Sequence, residues 1–180
     1  TNAASRMKIL LNDLLQYSRA GLDTNKEEID LNKLVENIKD SLSQVIEEKN
    51  ATIDCDPLPT IIANPLQMQQ LFQNLISNAI KYSKPNEAPK LKISYKQLED
   101  KHSISFTDNG IGFDDSYATQ IFDQFFRLHG KSSSYEGTGI GLAICKKIMD
   151  KAGGKIQAQS KEGIGSTFTI NLPFKELARL

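Results

Sequence analysis

Four stretches in the second half of the chain alternate apolar and polar residues. They do not come singly between helices but in two runs, LKISY (91–95) with SISFT (103–107), and KIQAQS (155–160) with STFTINL (166–172). Alternation of period two marks half-buried strands. A helical pattern precedes the first run, and a second one, from about Ile140 to Ala152, precedes the other. Strict alternation of strand and helix, which a doubly wound parallel sheet requires, is missing. The expected fold class is therefore α+β, a two-layer sandwich of a mixed or antiparallel sheet with helices on one face.

The first half supplies helices and short strands. Met7, Leu10, Leu11 and Leu14 stand at i, i+3, i+4 and i+7, which predicts a one-striped helix ending near Gly21. The polar run LDTNKEE (22–28) reads as a linker, so residues 1–21 form a unit apart from a main domain over 29–175, with 176–180 as a tail. The stripe then serves a neighbouring unit or a partner chain, or else packs on its own domain. Leu31, Leu34, Val35, Ile38, Leu42, Val45 and Ile46 predict one long helix capped by Asp30. ATIDC (51–55) and TIIA (60–63), separated by Pro57 and Pro59, predict a small antiparallel pair. Asn64-Pro65-Leu66-Gln67 is a helix start with a capping Asn and Pro at the first position. From it, Leu66, Leu71, Phe72, Leu75, Ile76 and Ile80 are expected to point inward.

Charge excludes some partners. The 22 Lys and Arg balance the 22 Asp and Glu, so there is no global basic field for nucleic acid or an anionic membrane, and neither is expected as a partner. Apolar runs fall far short of the roughly 20 residues that span a bilayer, and no signal peptide is expected. Cys55 and Cys145 each sit in a regular apolar pattern and read as buried thiols of a reducing, cytoplasmic compartment.

Three clusters depart from core patterning. In QNLISNAIKYS (73–83), Asn74, Asn78 and Lys81 lie along one side of a helix whose other side is apolar. A solvated face accounts for them equally well, but Asn is a poor helix former, and amide oxygens suit a hard cation such as Mg²⁺ held with nucleotide phosphates. Asp108-Asn109-Gly110-Ile111-Gly112 ends a strand. It reads as a turn, or as a carboxylate presented to the exocyclic amine of adenine beside glycines that admit a flat ligand. Gly137-Thr138-Gly139-Ile140-Gly141-Leu142 runs into a helix, whose N-terminus with its glycine-rich backbone makes an anion site. Its glycines run G-x-G-x-G after a polar, strand-poor stretch, which argues against a dinucleotide fingerprint, and the full phosphate-loop pattern G-x-x-x-x-G-K-S/T is absent as well. Residues 128–136 read as a mobile lid, with Phe122, Phe125 and Phe126 as anchors before it and Arg127 within reach of a phosphate.

In order and spacing, QNLISNAIKYS, DNGIGF, FDQFFR and GTGIGLAI resemble the N, G1, F and G2 boxes of the ATP-binding catalytic domain of sensor histidine kinases, within the gyrase, Hsp90, histidine kinase and MutL superfamily. The resemblance covers about residues 28–174. LLNDLLQYSR, within residues 1–20, resembles the end of the second helix of the dimerisation and phosphotransfer hairpin. It implies a Bergerat-type ATP-binding fold and the cofactors ATP and Mg²⁺. It implies Asn78 as Mg²⁺ ligand, Asn74 one turn earlier on the same wall, and Lys81 and Tyr82 near the phosphates. Asp108 is then the adenine ligand and Gly110 and Gly112 shape the base pocket. Arg127 with the loop of Gly137, Thr138, Gly139, Gly141 and Leu142 holds the phosphates, and Thr167 supports the base pocket.

The family's acceptor histidine is followed by an acidic residue in the first hairpin helix. His102 and His129 do not match it. The resemblance thus implies transfer of the ATP γ-phosphoryl group to a histidine elsewhere, then to a response-regulator receiver domain, in a homodimeric parent, with membrane anchorage of that parent left open. A hydrolase of the gyrase or Hsp90 branch carries a glutamate where Asn74 stands. The remaining alternative is a nucleotide-binding or scaffolding module without phosphotransfer.

Overall fold

The computed structural model describes residues 3–20, 25–128 and 137–174. Among the described residues, five helices and seven strands follow one another as α1 (Ala3–Arg19), β1 (Glu27–Asp30), α2 (Leu31–Ser41), α3 (Ser43–Glu48), β2 (Thr52–Cys55), β3 (Thr60–Ala63), α4 (Pro65–Lys81), β4 (Lys90–Gln97), β5 (Lys101–Asp108), α5 (Gly141–Lys151), β6 (Lys155–Lys161) and β7 (Gly165–Pro173). Two short 3₁₀ turns, Asp115–Tyr117 and Gln120–Phe122, lie between β5 and α5.

The main sheet has the order β2-β4-β5-β7-β6, with β2 parallel to β4 and every other pair antiparallel. One face is apolar: Leu91, Ile93, Ile104, Phe106, Phe168 and Ile170 are buried there. Against it lie Phe72, Leu75 and Ile76 of α4 and Ile144 and Ile148 of α5, all buried, and Phe72 meets Phe106 edge-on at 5.2 Å. The other face carries hydroxyls, paired across strands as Ser105–Thr169 and Thr107–Thr167, both at 3.0 Å. This is the expected two-layer α+β arrangement with a mixed sheet.

Four local expectations change. First, the two β-prone stretches around Pro57 and Pro59 are not a pair: β2 runs parallel to β4, and β3 pairs antiparallel with β1 in a separate two-stranded sheet. Both prolines lack an N–H, and each holds its predecessor extended, so the chain cannot turn tightly here. It is tied instead to α2, where the Asn32 amide donates to Leu58 O at 2.7 Å and accepts from Leu58 N at 2.8 Å. Second, Glu27 and Glu28, read as linker, open β1; residues 21–24 and 175–180 lie outside the described residues. Third, the long helix breaks at Leu42 (φ −102°, ψ 7°), just after Ser41 Oγ donates back to Ile38 O at 2.8 Å. Asp30 caps α2 as expected, accepting from Asn32 N and Lys33 N. Fourth, Leu66 is 70% exposed, and Met68 takes the inward place at the start of α4.

Helix α1 docks by its polar side. Asp13 and Tyr17 are half-buried and Ala20 is buried, whereas Met7, Leu10, Leu11 and Leu14 stay exposed. The stripe does not pack on the domain.

Candidate nucleotide site

Three walls meet at one end of the sandwich. The first is the last two turns of α4. Asn64 caps that helix through its side-chain oxygen, which accepts Gln67 N–H at 2.9 Å, and the buried stripe fixes its rotation. Asn74, Asn78, Lys81 and Tyr82 consequently share one half-buried side. Asn74 Nδ2 donates to Gly141 O at 3.4 Å. Its amide also hydrogen-bonds the Cys145 thiol, which burial pushes up to about 12. Lys81 Nζ sits 4.6 Å from the centre of the Tyr82 ring and directly against Gly137, where a Cβ would come within 2.5 Å of it. The Asn78 amide has no hydrogen-bond partner among the described residues and opens to solvent.

The second wall is the turn after β5. Asp108 Oδ1 accepts the N–H groups of Gly110 (2.8 Å) and Ser166 (3.2 Å). Oδ2 has no partner among the described residues and reaches solvent. Burial raises the Asp108 pKa above its ordinary value, and the two backbone N–H groups pull it back. Gly110 abuts Tyr82 O, which accepts Ile111 N–H at 2.9 Å, so the turn is fastened to the end of α4. Gly112 (φ +61°) leaves no room for a side chain, since a Cβ would lie 2.1 Å from Lys161 O. A side chain at either glycine would run into protein backbone, Tyr82 O at Gly110 and Lys161 O at Gly112.

The third wall is the segment Gly137–Gly141. Gly139 adopts φ +75° and is clasped from outside by Phe125, whose N–H donates to Gly139 O at 2.9 Å. Helix α5 begins at Gly141 with no side-chain cap, so its first N–H groups and the positive end of its dipole face the α4 wall. Leu142 is half-buried and packs against the core. Of the three expected anchors, Phe122 is buried and Phe126 packs on Tyr117 at 5.9 Å, but Phe125 is 56% exposed with φ +63°. Arg127 is exposed beside this clasp. The lid expected over 128–136 falls, from residue 129 on, outside the described residues, as does His129.

Thr167 requires correction. Because side chains alternate along β7 and Phe168 faces inward, Thr167 faces outward and bonds Thr107 on the open side of the sheet. Its neighbour Ser166, buried, is what meets Asp108, and Ser160 completes the seam by bonding Ser166 Oγ and Gly165 O, both at 2.9 Å. Sequence reasoning missed Ser160 and Ser166. The period-two register counted from Phe168 was the available signal for Ser166.

A family model described as "Histidine kinase-, DNA gyrase B-, and HSP90-like ATPase" matches residues 63–176. The chain belongs to this ATPase family. Cyanobacterial phytochrome A of Nostoc sp. (strain PCC 7120) is 42% identical to this ATPase domain over 170 residues, 94% of the chain and 22% of that protein. Sensor protein kinase WalK of Staphylococcus aureus is 37% identical over 175 residues, 93% of the chain and 42% of that protein. The chain spans less than half the length of both relatives. The crystal structure of full-length ShkA in complex with AMPPNP superposes with a TM-score of 0.79 at 26% identity, over 94% of the chain and 36% of that protein. The resemblance drawn from the four boxes is thereby borne out for family and fold: this is a histidine-kinase-type ATPase domain as it occurs in sensor kinases. Among the described residues no helix is long and apolar enough to cross a membrane.

Proposed function

We propose that this ATPase domain binds Mg·ATP and presents its γ-phosphoryl group to a histidine on a dimerisation hairpin, for relay to a response-regulator receiver domain. The observation that carries the reading is Asp108, with one oxygen fixed by two backbone N–H groups and the other turned to solvent beside the α4 wall. An acceptor-only oxygen in that position selects an exocyclic amine, as adenine has, over the carbonyl of guanine. The uncapped α5 terminus and the glycine backbone suit the phosphates, with Lys81 beside Gly137 offsetting their charge. The AMPPNP bound by full-length ShkA supports a nucleotide there.

The Asn78 amide oxygen, without a hydrogen-bond partner among the described residues, fits a hard cation. No cluster of three His, Cys, Asp or Glu exists among the described residues, so a metal would draw its remaining ligands from phosphate and water. Bound Mg²⁺ supplies neutralisation of the phosphate charge. The protein's own contribution is positioning: Asp108 orients the base, and Lys81 and the loop orient the phosphates toward the incoming imidazole.

Asn74 argues against hydrolysis. Its amide is engaged with Gly141 O and Cys145 and has no basic atom to activate water. His102 is no acceptor candidate either. It lies six residues down β5 from Asp108, roughly 20 Å away at the rise of a strand, bonded to Tyr95 Oη at 2.9 Å and stacked edge-on with Phe174.

Calorimetric titration with AMPPNP in Mg²⁺, beside GTP, tests the site. Binding of AMPPNP but not GTP is expected. ATP should then label an added histidine-bearing hairpin with acid-labile phosphate. Nucleotide binding without labelling would overturn the kinase assignment in favour of a binding or scaffolding module.

A further inference from the structure

Asp13, on α1, reaches into the anion loop. Its carboxylate accepts the hydroxyl of Thr138, between the two glycines that begin the loop. The helix is held in that position along one side, at i, i+3, i+4 and i+7 from Asp13. Gln16 Oε1 accepts from Gln70 Nε2 of α4 at 3.0 Å. Lys147 Nζ of α5 donates to Tyr17 O at 2.7 Å and lies 4.4 Å over the Tyr17 ring. Ala20 is buried at the helix end. Lys147 thus closes the carbonyl end of α1, where a cation is favoured. None of these contacts uses the exposed apolar stripe, so docking leaves that stripe available while committing the polar side to α4 and α5.

We propose that Asp13 is an intramolecular competitor for the phosphate site: with α1 docked, its carboxylate occupies Thr138, and nucleotide phosphate at residues 137–141 displaces it. The inference rests on reading that loop as the phosphate site. Two anions cannot share one hydroxyl donor, and two negative charges brought to one short loop repel each other. Whatever moves α1 therefore changes nucleotide affinity, and nucleotide in turn loosens α1 by the same free energy. The N-terminal helix and the ATP site are coupled through one side-chain contact, with the Gln16 and Lys147 contacts setting how firmly the helix returns.

The test is calorimetry on this chain, comparing wild type with Asp13→Ala and the near-isosteric Asp13→Asn, with thermal unfolding to establish that each variant is folded. The ligands are Mg·AMPPNP and adenosine, which carries no phosphate. AMPPNP is expected to bind Asp13→Ala about five- to tenfold more tightly than wild type, within the usual span of site-to-site coupling. Asp13→Asn, which keeps an acceptor but loses the charge, falls between them, and adenosine binds all three alike. Hydrogen exchange adds the reciprocal reading: amides of residues 13–19 exchange faster when wild type is saturated with AMPPNP. Equal AMPPNP affinity in wild type and both variants, or slower exchange of α1 on binding, would overturn the competition while leaving the nucleotide site intact. AMPPNP binding no better than adenosine to any of the three would instead overturn the phosphate reading of the loop, and the competition with it.

Discussion

The Ser166 N–H and the Asp108 carboxylate lie 3.2 Å apart across the β5–β7 ladder, and both this bond and the one from Gly110 N–H end on the same oxygen, Oδ1. The backbone thereby sets the rotation of the carboxylate and leaves Oδ2 without a partner among the described residues, the oxygen that the proposed reading turns to the base. Half-burial makes that acceptor strong and the free carboxylate costly.

Asp108→Asn should separate binding from stability. The asparagine oxygen can accept the same two N–H groups, which leaves its NH₂ facing the adenine amine, donor against donor. Loss of a charge-assisted bond worth about 1.5–3 kcal/mol lowers nucleotide affinity by roughly one to two orders of magnitude. At pH 7 the variant should nonetheless melt higher than wild type, because it buries no charge. Calorimetry and thermal unfolding on the same samples check both halves; undiminished affinity would remove Asp108 from the base pocket.

The raised Asp108 pKa also gives a pH signature. If Asp108 holds the adenine amine as proposed, the contact needs the ionised carboxylate, so nucleotide affinity should fall as pH drops through the raised value, which lies above the ordinary 3.8. Near that value binding releases protons, measurable as a dependence of the apparent heat on buffer ionisation enthalpy. For folding the sign is opposite. A carboxyl whose folded pKa exceeds its unfolded one favours the native state when protonated, and that contribution is lost as pH rises through the folded value. Asp30, Asp56, Glu87 and Asp114 have lowered values from side-chain hydrogen bonds and work the other way, losing stability as pH falls. The Asp108 contribution therefore shows only in the difference between wild type and Asp108→Asn. Proton uptake on binding would contradict the assignment.

What the sequence showed and hid follows from the range of the interactions. The wall of Asn74, Asn78 and Lys81 was legible because helical period alone puts those side chains together, and the cap at Asn64 because its partner is three residues away. The pairing of β2 with β4 was not, since it joins Thr52–Cys55 to Lys90–Ile93 across a whole helix and leaves no local trace. Thr167 was misplaced by one residue, and in a strand one residue is the difference between the two faces of the sheet. The docking of α1 through Asp13, Gln16 and Tyr17 was hidden because its apolar stripe, the stronger signal, points elsewhere.

Two glycines with similar dihedral angles should behave differently. Gly112 and Gly163 both have positive φ, +61° and +77°. Ala at Gly163 meets nothing within 4 Å and should cost about 1 kcal/mol of left-handed backbone strain. Ala at Gly112 would drive its Cβ into Lys161 O, prying the turn after β5 from the β6–β7 hairpin, and should cost more than about 3 kcal/mol with loss of nucleotide binding. Urea unfolding of the pair gives the comparison directly, and equal losses would mean that the close approach is not real in solution.

The two thiols offer a check on the core beneath the α4 wall. Cys145 is fully buried, its thiol pushed up to about 12 by desolvation and lodged against Leu71 O and the Asn74 amide. Cys55 is half-buried on β2, its thiol raised by burial and by Asp56. Thiolate fraction and access together control reaction with a disulfide reagent. In native conditions one equivalent of thiol, from Cys55, should therefore react first, and Cys145 should follow only at the rate of unfolding, identified by mass spectrometry of the labelled peptides. Asn74→Ala removes the amide over Cys145 and should speed its labelling without changing that of Cys55. If Cys145 instead reacts as fast as Cys55 in the wild-type protein, the packing of α4 on α5 that holds Asn74 against Gly141 is not the one described.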